Sequence, residues 1–242
     1  MDDPNKRNDC GHLGTWPSIS DVDTFLSRFN HDNNYDDGST KLHLGDTIRI
    51  IDGTINDIWV IAGFDCEHNR KANDGTVYDN GYGIMLWPIW AVNDANKGYW
   101  NEENTTVGGY ISSLAHTNSN KLAVTMKDSI LGTHLINRNV LLSDSINSYG
   151  FANNYTWTTA YGAAPTIGQL RGIFNFNQTI YDEGEANYRL PLFNYQSYEV
   201  SYDFWFRNIC DKSDNNYQVF YNHGYSATNY SMRYYHTLLY IR

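Results

Sequence analysis

The side chains of this 242-residue chain best suited to proton transfer, metal ligation or nucleophilic attack are eight histidines, at 12, 31, 43, 68, 116, 134, 223 and 236, and three cysteines, at 10, 66 and 210. Their spacing does not organise them for any of these tasks. No two histidines form a His-x-x-x-His pair, which would set both imidazoles on one helical face for zinc. The cysteines are neither paired as in a zinc site nor even in number as in a disulfide framework, so they read as reduced structural thiols. Gly-x-Ser-x-Gly, Gly-x-x-x-x-Gly-Lys and Gly-x-Gly-x-x-Gly are all absent, and with them the signals of a nucleophile elbow, a phosphate loop and a dinucleotide fold. A pairing of Cys210 with His223 or His236 would have to be assembled by the fold. Glu102 and Glu103 are adjacent and so point apart, whereas glycosidase carboxylates must flank their substrate at roughly 5–10 Å. Asp32, Asp36 and Asp37 offer oxygen donors, without the alternation and terminal Glu of a calcium loop. The expectation is no catalytic residue, no metal and no cofactor.

Binding is better represented than catalysis. Twenty tyrosines and seven tryptophans stand in a chain of negative mean hydropathy. Tyr and Trp offer large, rigid, amphipathic contact area at low entropic cost, which suits a recognition surface as well as a β-rich core. They crowd with Asn, Ser and His in the last forty residues, which open on Phe204-Trp205-Phe206-Arg207-Asn208. Exposed aromatics at Phe151, Tyr155, Trp157 and Tyr161 would suit sugar rings, or would fold back as lids over the core.

Seventeen basic residues against twenty-seven acidic ones leave a net charge of −10, the wrong sign for a phosphate-neutralising surface, so nucleic acid is set aside. No apolar run approaches the roughly 20 residues that cross a bilayer. Met1-Asp2-Asp3-Pro4-Asn5-Lys6-Arg7 lacks the apolar stretch of a signal peptide, which predicts a chain that neither inserts in a membrane nor leaves by that route.

The elements that must carry these residues follow from periodicity. Residues 1–19 are polar and aperiodic and read as an arm. Ser20 caps a short helix to Phe29 with Val22, Phe25, Leu26 and Phe29 on one face. Thr47–Ile51 and Ile58–Phe64 around Asp52-Gly53 read as a hairpin, followed by a strand over 83–87 that Pro88 stops. Residues 66–81 read as a solvated loop. Helices are predicted over 110–116 and 119–131, a short strand over 140–143, and an aromatic loop over 151–161. Thr166 and Gln169 have the spacing of a capping box for a helix running towards Phe174. Leu190-Pro191-Leu192-Phe193 reads as an apolar anchor. The ending is predicted as strands at 205–207, 217–221 and 234–241, with 225–231 an adaptable loop.

Three ordered stretches carry a resemblance. Leu44-Gly45-Asp46-Thr47-Ile48 with Trp59-Val60-Ile61-Ala62-Gly63-Phe64-Asp65 resembles the opening of a domain family from tailed bacteriophages and prophages. Asn104-Thr105-Thr106-Val107-Gly108-Gly109-Tyr110 is similar to its Asn-Thr-Thr-x-Gly-Gly-Tyr segment. Leu190-Pro191-Leu192-Phe193 and Phe204-Trp205-Phe206-Arg207-Asn208 resemble its Leu-Pro-Leu-Phe and Trp-Leu-Arg-Ser/Asn elements. Its usual closing Gly-Val-Arg-Pro-x-Phe is replaced here by Tyr234-Tyr235-His236-Thr237-Leu238-Leu239-Tyr240.

The resemblance implies an α+β, C-type-lectin-like domain over 41–242, with small antiparallel sheets, one or two helices and long loops. An N-terminal arm and short helix over 1–40 would serve attachment. It implies a bacteriophage virion protein, not an enzyme, assembled in the host cytoplasm and exposed on a tail, baseplate or fibre. Its partners would be other virion proteins, further copies of itself as a homo-oligomer, and a host surface glycan or protein. Contact is expected from Tyr217, Tyr221, Asn222, Tyr225, Asn229 and Tyr230, with Trp59, Trp205 and Arg207 as structural anchors. A structural or decoration protein without a receptor role, and a glycan-acting enzyme, are the alternatives.

Overall fold

Apolar runs that do not alternate, such as Trp59-Val60-Ile61-Ala62 and Ile84-Met85-Leu86-Trp87, suit strands covered on both faces. The computed structural model bears this out. It describes residues 12–16, 23, 26, 42–53, 55–72, 75–89, 97–103, 105–148, 152–171, 189–195, 204–213, 216–221, 226–228 and 232–242. In chain order the elements are β1 (His12–Trp16), β2 (Thr47–Asp52), β3 (Ile55–Phe64), β4 (Arg70–Lys71), β5 (Val77–Tyr78), β6 (Ile84–Pro88), β7 (Lys97–Gly98), α1 (Leu114–Met126), β8 (Arg138–Ile146), β9 (Ala152–Ala160), β10 (Gly162–Ala163), α2 (Ile167–Arg171), α3 (Pro191–Tyr195), β11 (Trp205–Ser213), β12 (Asn216–Tyr221), β13 (Ser226–Thr228), β14 (Arg233–Tyr234) and β15 (Leu238–Ile241). The protein is α+β, with small, mainly antiparallel sheets and few helices.

Six strands form the central sheet in the order β1-β2-β3-β6-β15-β10. Only β1 runs parallel to its neighbour; the other pairs are antiparallel. The alternation of side chains divides each inner strand between two cores. Trp59 and Ile61 of β3, Ile84 and Leu86 of β6, and Leu239 and Ile241 of β15 join an aliphatic core with Ile48 and Ile50, covered by Leu122, Ala123 and Met126 of α1. Val60 and Ala62, Met85 and Trp87, and Leu238 and Tyr240 face the other way, against Leu190, Leu192, Phe193, Phe204 and Phe206. A register shift between Ile61 and Gly63 moves the alternation by one, so Phe64 returns to the aliphatic side with its partner Ile84. At Gly63 a Cβ would stand 2.9 Å from Cys66 Sγ and 3.0 Å from Pro191 Cδ, which is how closely the turn of α3 sits on β3.

Helix α1 starts where Ser113 Oγ accepts the His116 backbone N–H at 3.0 Å, widens to a π-turn over Lys127–Leu131, and stops at Gly132 with φ 54°. Thr166 and Gln169 form the predicted capping box: the Thr166 N–H donates to Gln169 Oε1 at 2.9 Å, and the Gln169 N–H donates to Thr166 Oγ1 at 3.0 Å. The hairpin β2–β3 and the strand ending at Pro88 also stand where periodicity placed them.

Four readings of the sequence are corrected. His12–Trp16, assigned to an arm, adds β1 to the sheet edge and buries Trp16. The aromatic loop at 151–161 is largely β9, paired along its length with β8; Tyr155 and Trp157 pack beside Leu141 and Tyr78, a partnership that local composition does not reveal. Residues 66–81 are not a solvated loop, because Cys66, Glu67, Ala72, Tyr78 and Asn80 are buried and β4 pairs with β5. Within 225–231, residues 226–228 form β13 against β12.

Candidate functional site

The chain from Phe204 onward passes through the core twice. Phe204 through Ile209 are all buried, as are Tyr235 through Ile241. Alternation again does the sorting: Phe204 and Phe206 join the aromatic side of the central sheet, while Trp205 and Ile209 join a third core with Trp100, Tyr110, Val140 and Ala163. Hydrogen bonds lock the strand to distant segments. The Trp205 indole N–H donates to Gly98 O at 3.0 Å, the Trp100 indole to Phe206 O at 3.2 Å, and the Arg207 backbone N–H to Pro165 O at 3.1 Å. Polar indole groups at these sites are thus satisfied by backbone carbonyls, as buried donors require.

Between these two buried segments the backbone builds a separate three-stranded sheet, β11-β12-β13. In the register, Trp205 stands opposite Tyr221, Lys212 opposite Tyr217, and Val219 opposite both Ile209 and Ala227. Irregularities between Trp205 and Asp211 bend β11 along this stretch. Of the expected contact residues, Tyr217 and Tyr221 therefore lie on β12. Asn222, Tyr225, Asn229 and Tyr230 fall outside the described residues. The expected anchors are separated: Trp205 and Arg207 lie buried on β11, whereas Trp59 is buried in the aliphatic core of the central sheet.

The titratable groups beneath this sheet are arranged for packing. His236 is sandwiched between Trp87 and Phe204, with ring centroids 4.5 and 4.2 Å away, and burial holds its pKa well below the usual histidine value. It is neutral and closed to a substrate. Burial, helped by the Arg207 guanidinium, lowers His116 to about 4, and its ring lies edge-on to Tyr110 at 5.2 Å. Among the described residues no acceptor or donor reaches His116 Nδ1, so no carboxylate orients the ring through that nitrogen. Burial and the neighbouring Glu67 push the Cys66 thiol up to about 12, which leaves no thiolate near neutral pH.

Glu67 and Arg138 form a fully buried ion pair, Arg138 Nη1 to Glu67 Oε1 at 3.0 Å, between residues 71 apart in the chain. Asn80 joins it to β8: its amide reaches Asn139 O at 3.1 Å, and its carbonyl accepts the Asn139 N–H at 2.7 Å. Sequence reasoning missed this cluster because neither spacing nor periodicity links residue 67 to 138. Among the described residues no three His, Cys, Asp or Glu side chains gather as a metal-binding group. The acidic loop at 31–37 lies outside them. No helix of the described residues is long and apolar enough to cross a membrane.

No family model, curated protein or solved structure matches the chain.

Proposed function

We propose that this is a bacteriophage virion protein, exposed on a tail, baseplate or fibre, whose C-terminal region contacts the host cell surface. One observation carries the reading: in the chain, the Tyr- and Asn-rich stretch 210–232, whose described part belongs to the sheet β11-β12-β13, lies between two buried segments, Phe204–Ile209 and Tyr235–Ile241. A rigid base with adaptable polar and aromatic residues at its end is the physical form of a recognition surface, because the contacts need not hold the fold together. The ordered resemblance to tailed-phage domains supports the same reading. So does the coarse α+β architecture, which is compatible with a C-type-lectin-like domain.

Residues 1–40 would tie the domain to other virion proteins, in a particle assembled in the host cytoplasm. The decisive measurement is binding of the purified protein to host cells. Tyr225→Ala with Tyr230→Ala is expected to abolish most of that binding while leaving the thermal midpoint unchanged. Undiminished binding by the double variant would remove the proposed contact region.

A second reading, a structural or decoration protein with subunit contacts and no receptor role, draws on β9. Its nine residues carry no charge, and only Ala160 is buried. Self-association in light scattering, combined with no binding to host cells, would favour it.

A further inference from the structure

We propose that the end of the central sheet around Tyr82 is a carbohydrate subsite that takes a neutral pyranose. It is built from other residues than the C-terminal stretch and does not depend on the host-recognition reading.

The turn after β3 is held in an unusual backbone form. Asp65 and Asn69, with φ of 53° and 49°, are the two non-glycine residues in the left-handed region among those described. Such conformations are retained where the surroundings over-determine them, and often where a surface is preorganised for a ligand. Asp65 is held by Gly83, whose N–H donates to Asp65 Oδ1 at 2.9 Å, and the Asn69 end of the turn is held by Asp79. Its Oδ1 accepts the His68 Nδ1–H at 2.9 Å, the Gly81 N–H at 2.8 Å and the Asn69 N–H at 3.4 Å. A carboxylate only accepts, so Nδ1 carries the imidazole proton and Nε2 accepts from the Asn69 amide at 2.8 Å. The same donors, the Gly81 N–H first and then His68, keep the Asp79 carboxyl below its usual range and therefore ionised.

This network leaves specific groups facing outward. All three bonds to Asp79 use Oδ1, and its side chain is 46% exposed, so Oδ2 is presented in a fixed direction. The side-chain carbonyl of Asn69 is a second fixed acceptor on an exposed residue. Beside them the Tyr82 ring rests on the His68 imidazole, 4.0 Å between centroids, and remains 43% exposed. The Arg242 guanidinium adds donors at the same place: a Cβ on Gly81 would lie 2.6 Å from its Nη1.

An aromatic platform flanked by fixed acceptors and a guanidinium fits a ring with an apolar C–H face and several hydroxyls, each able to donate and accept. The signs of the charges disfavour a simple ion. An anion would meet the ionised Asp79 in a chain of net charge −10, and a cation would meet Arg242. A neutral polyhydroxylated ring conflicts with neither.

The test is saturation-transfer NMR on the full chain with methyl glucopyranoside, methyl mannopyranoside and methyl galactopyranoside. At least one is expected to receive saturation on its ring C–H protons. Tyr82→Ala should weaken that sugar's affinity about tenfold, while Tyr82→Phe keeps most of it. Asp79→Asn, which retains an acceptor and removes the charge, should weaken it about fivefold. Val77→Ser, an exposed change on neighbouring β5, should leave it unchanged. No transfer to any of the three sugars, or transfer undiminished in a folded Tyr82→Ala variant, overturns the proposal. Cell binding lost through Tyr225 and Tyr230 but retained in Tyr82→Ala would separate the two surfaces.

Discussion

The two faces of the central sheet are built from the same strands and yet differ in kind. On one, Ile48, Ile50, Ile61, Ile84, Leu86, Leu239 and Ile241 meet helix α1, and the packing is nearly all aliphatic. On the other, Trp87, Phe193, Phe204 and Phe206 interlock edge to face beside Tyr240, with His236 among them and the Glu67–Arg138 ion pair nearby. Aliphatic side chains tolerate exchanges that conserve volume. Edge-to-face aromatics add directional preference to their buried area, so the aromatic side is the one able to hold β11 at a defined angle.

The aromatic side is most sensitive at the buried ion pair. Glu67→Ala leaves the Arg138 guanidinium without its buried partner and should cost about 3–5 kcal/mol in chemical denaturation. Replacing both residues, Glu67→Gln with Arg138→Met, should cost less than either single change, because no uncompensated charge remains. Additive losses would show that the pair is not a unit.

Truncation sharpens the contrast next. Phe206→Ala on the aromatic side should cost about 3–5 kcal/mol, whereas Ile61→Val on the aliphatic side should cost about 0.5–1.5 kcal/mol. If the proposed host recognition holds, host-cell binding should fall with Phe206→Ala beyond what unfolding explains, and should be untouched by Ile61→Val. Equal effects of the two on binding would deny the aromatic side any special part.

Acidity gives the third contrast, because the faces should respond to pH with opposite signs. Asp57, buried among the aliphatic residues, has its carboxyl raised to about 7 by burial, and Oδ2 has no partner among the described residues. A raised acid is favoured in its protonated form by the fold. Its stabilisation is therefore complete below about pH 4 and lost as pH rises towards 7. Asp57→Asn should gain on the order of 2–4 kcal/mol over the wild type at pH 8 and nothing at pH 4. His236 works the other way. Its lowered pKa favours the neutral ring, so its contribution is present above the ordinary histidine value and is lost on acidification below it. Urea melts of Asp57→Asn across pH would check the first, and melts of His236→Phe the second. A wild-type pH profile unchanged by either would sink the account.

The reading from the sequence succeeded where the cause is local. The hairpin at β2–β3 and the Thr166–Gln169 capping box are set by residues a few positions apart, and each stands close to where its pattern put it, whereas the two helices predicted over 110–116 and 119–131 are one helix from Leu114 that Ser113 caps, after a 3-10 turn at Tyr110–Ser112. The apolar anchor at 190–193 is buried for the same reason, its composition alone leaving it no favourable place in water. β9 shows the opposite case. Its Tyr, Thr and Asn pattern suits a loop or a strand equally, and only the length of β8 beside it decides.

What the residue pattern by itself determined is therefore the inventory of strands and helices, and which segments must leave water. Only the tertiary structure decided which elements share a face. It set Trp59 apart from Trp205, placed Glu67 against Arg138 across 71 positions, and gathered His68, Asp79 and Tyr82 at one end of the sheet. The physical reason is range: hydrogen-bond capping and side-chain alternation act over a few residues, while the pairing of buried charges and the stacking of rings depend on strand order. That order is fixed by the burial of the whole core.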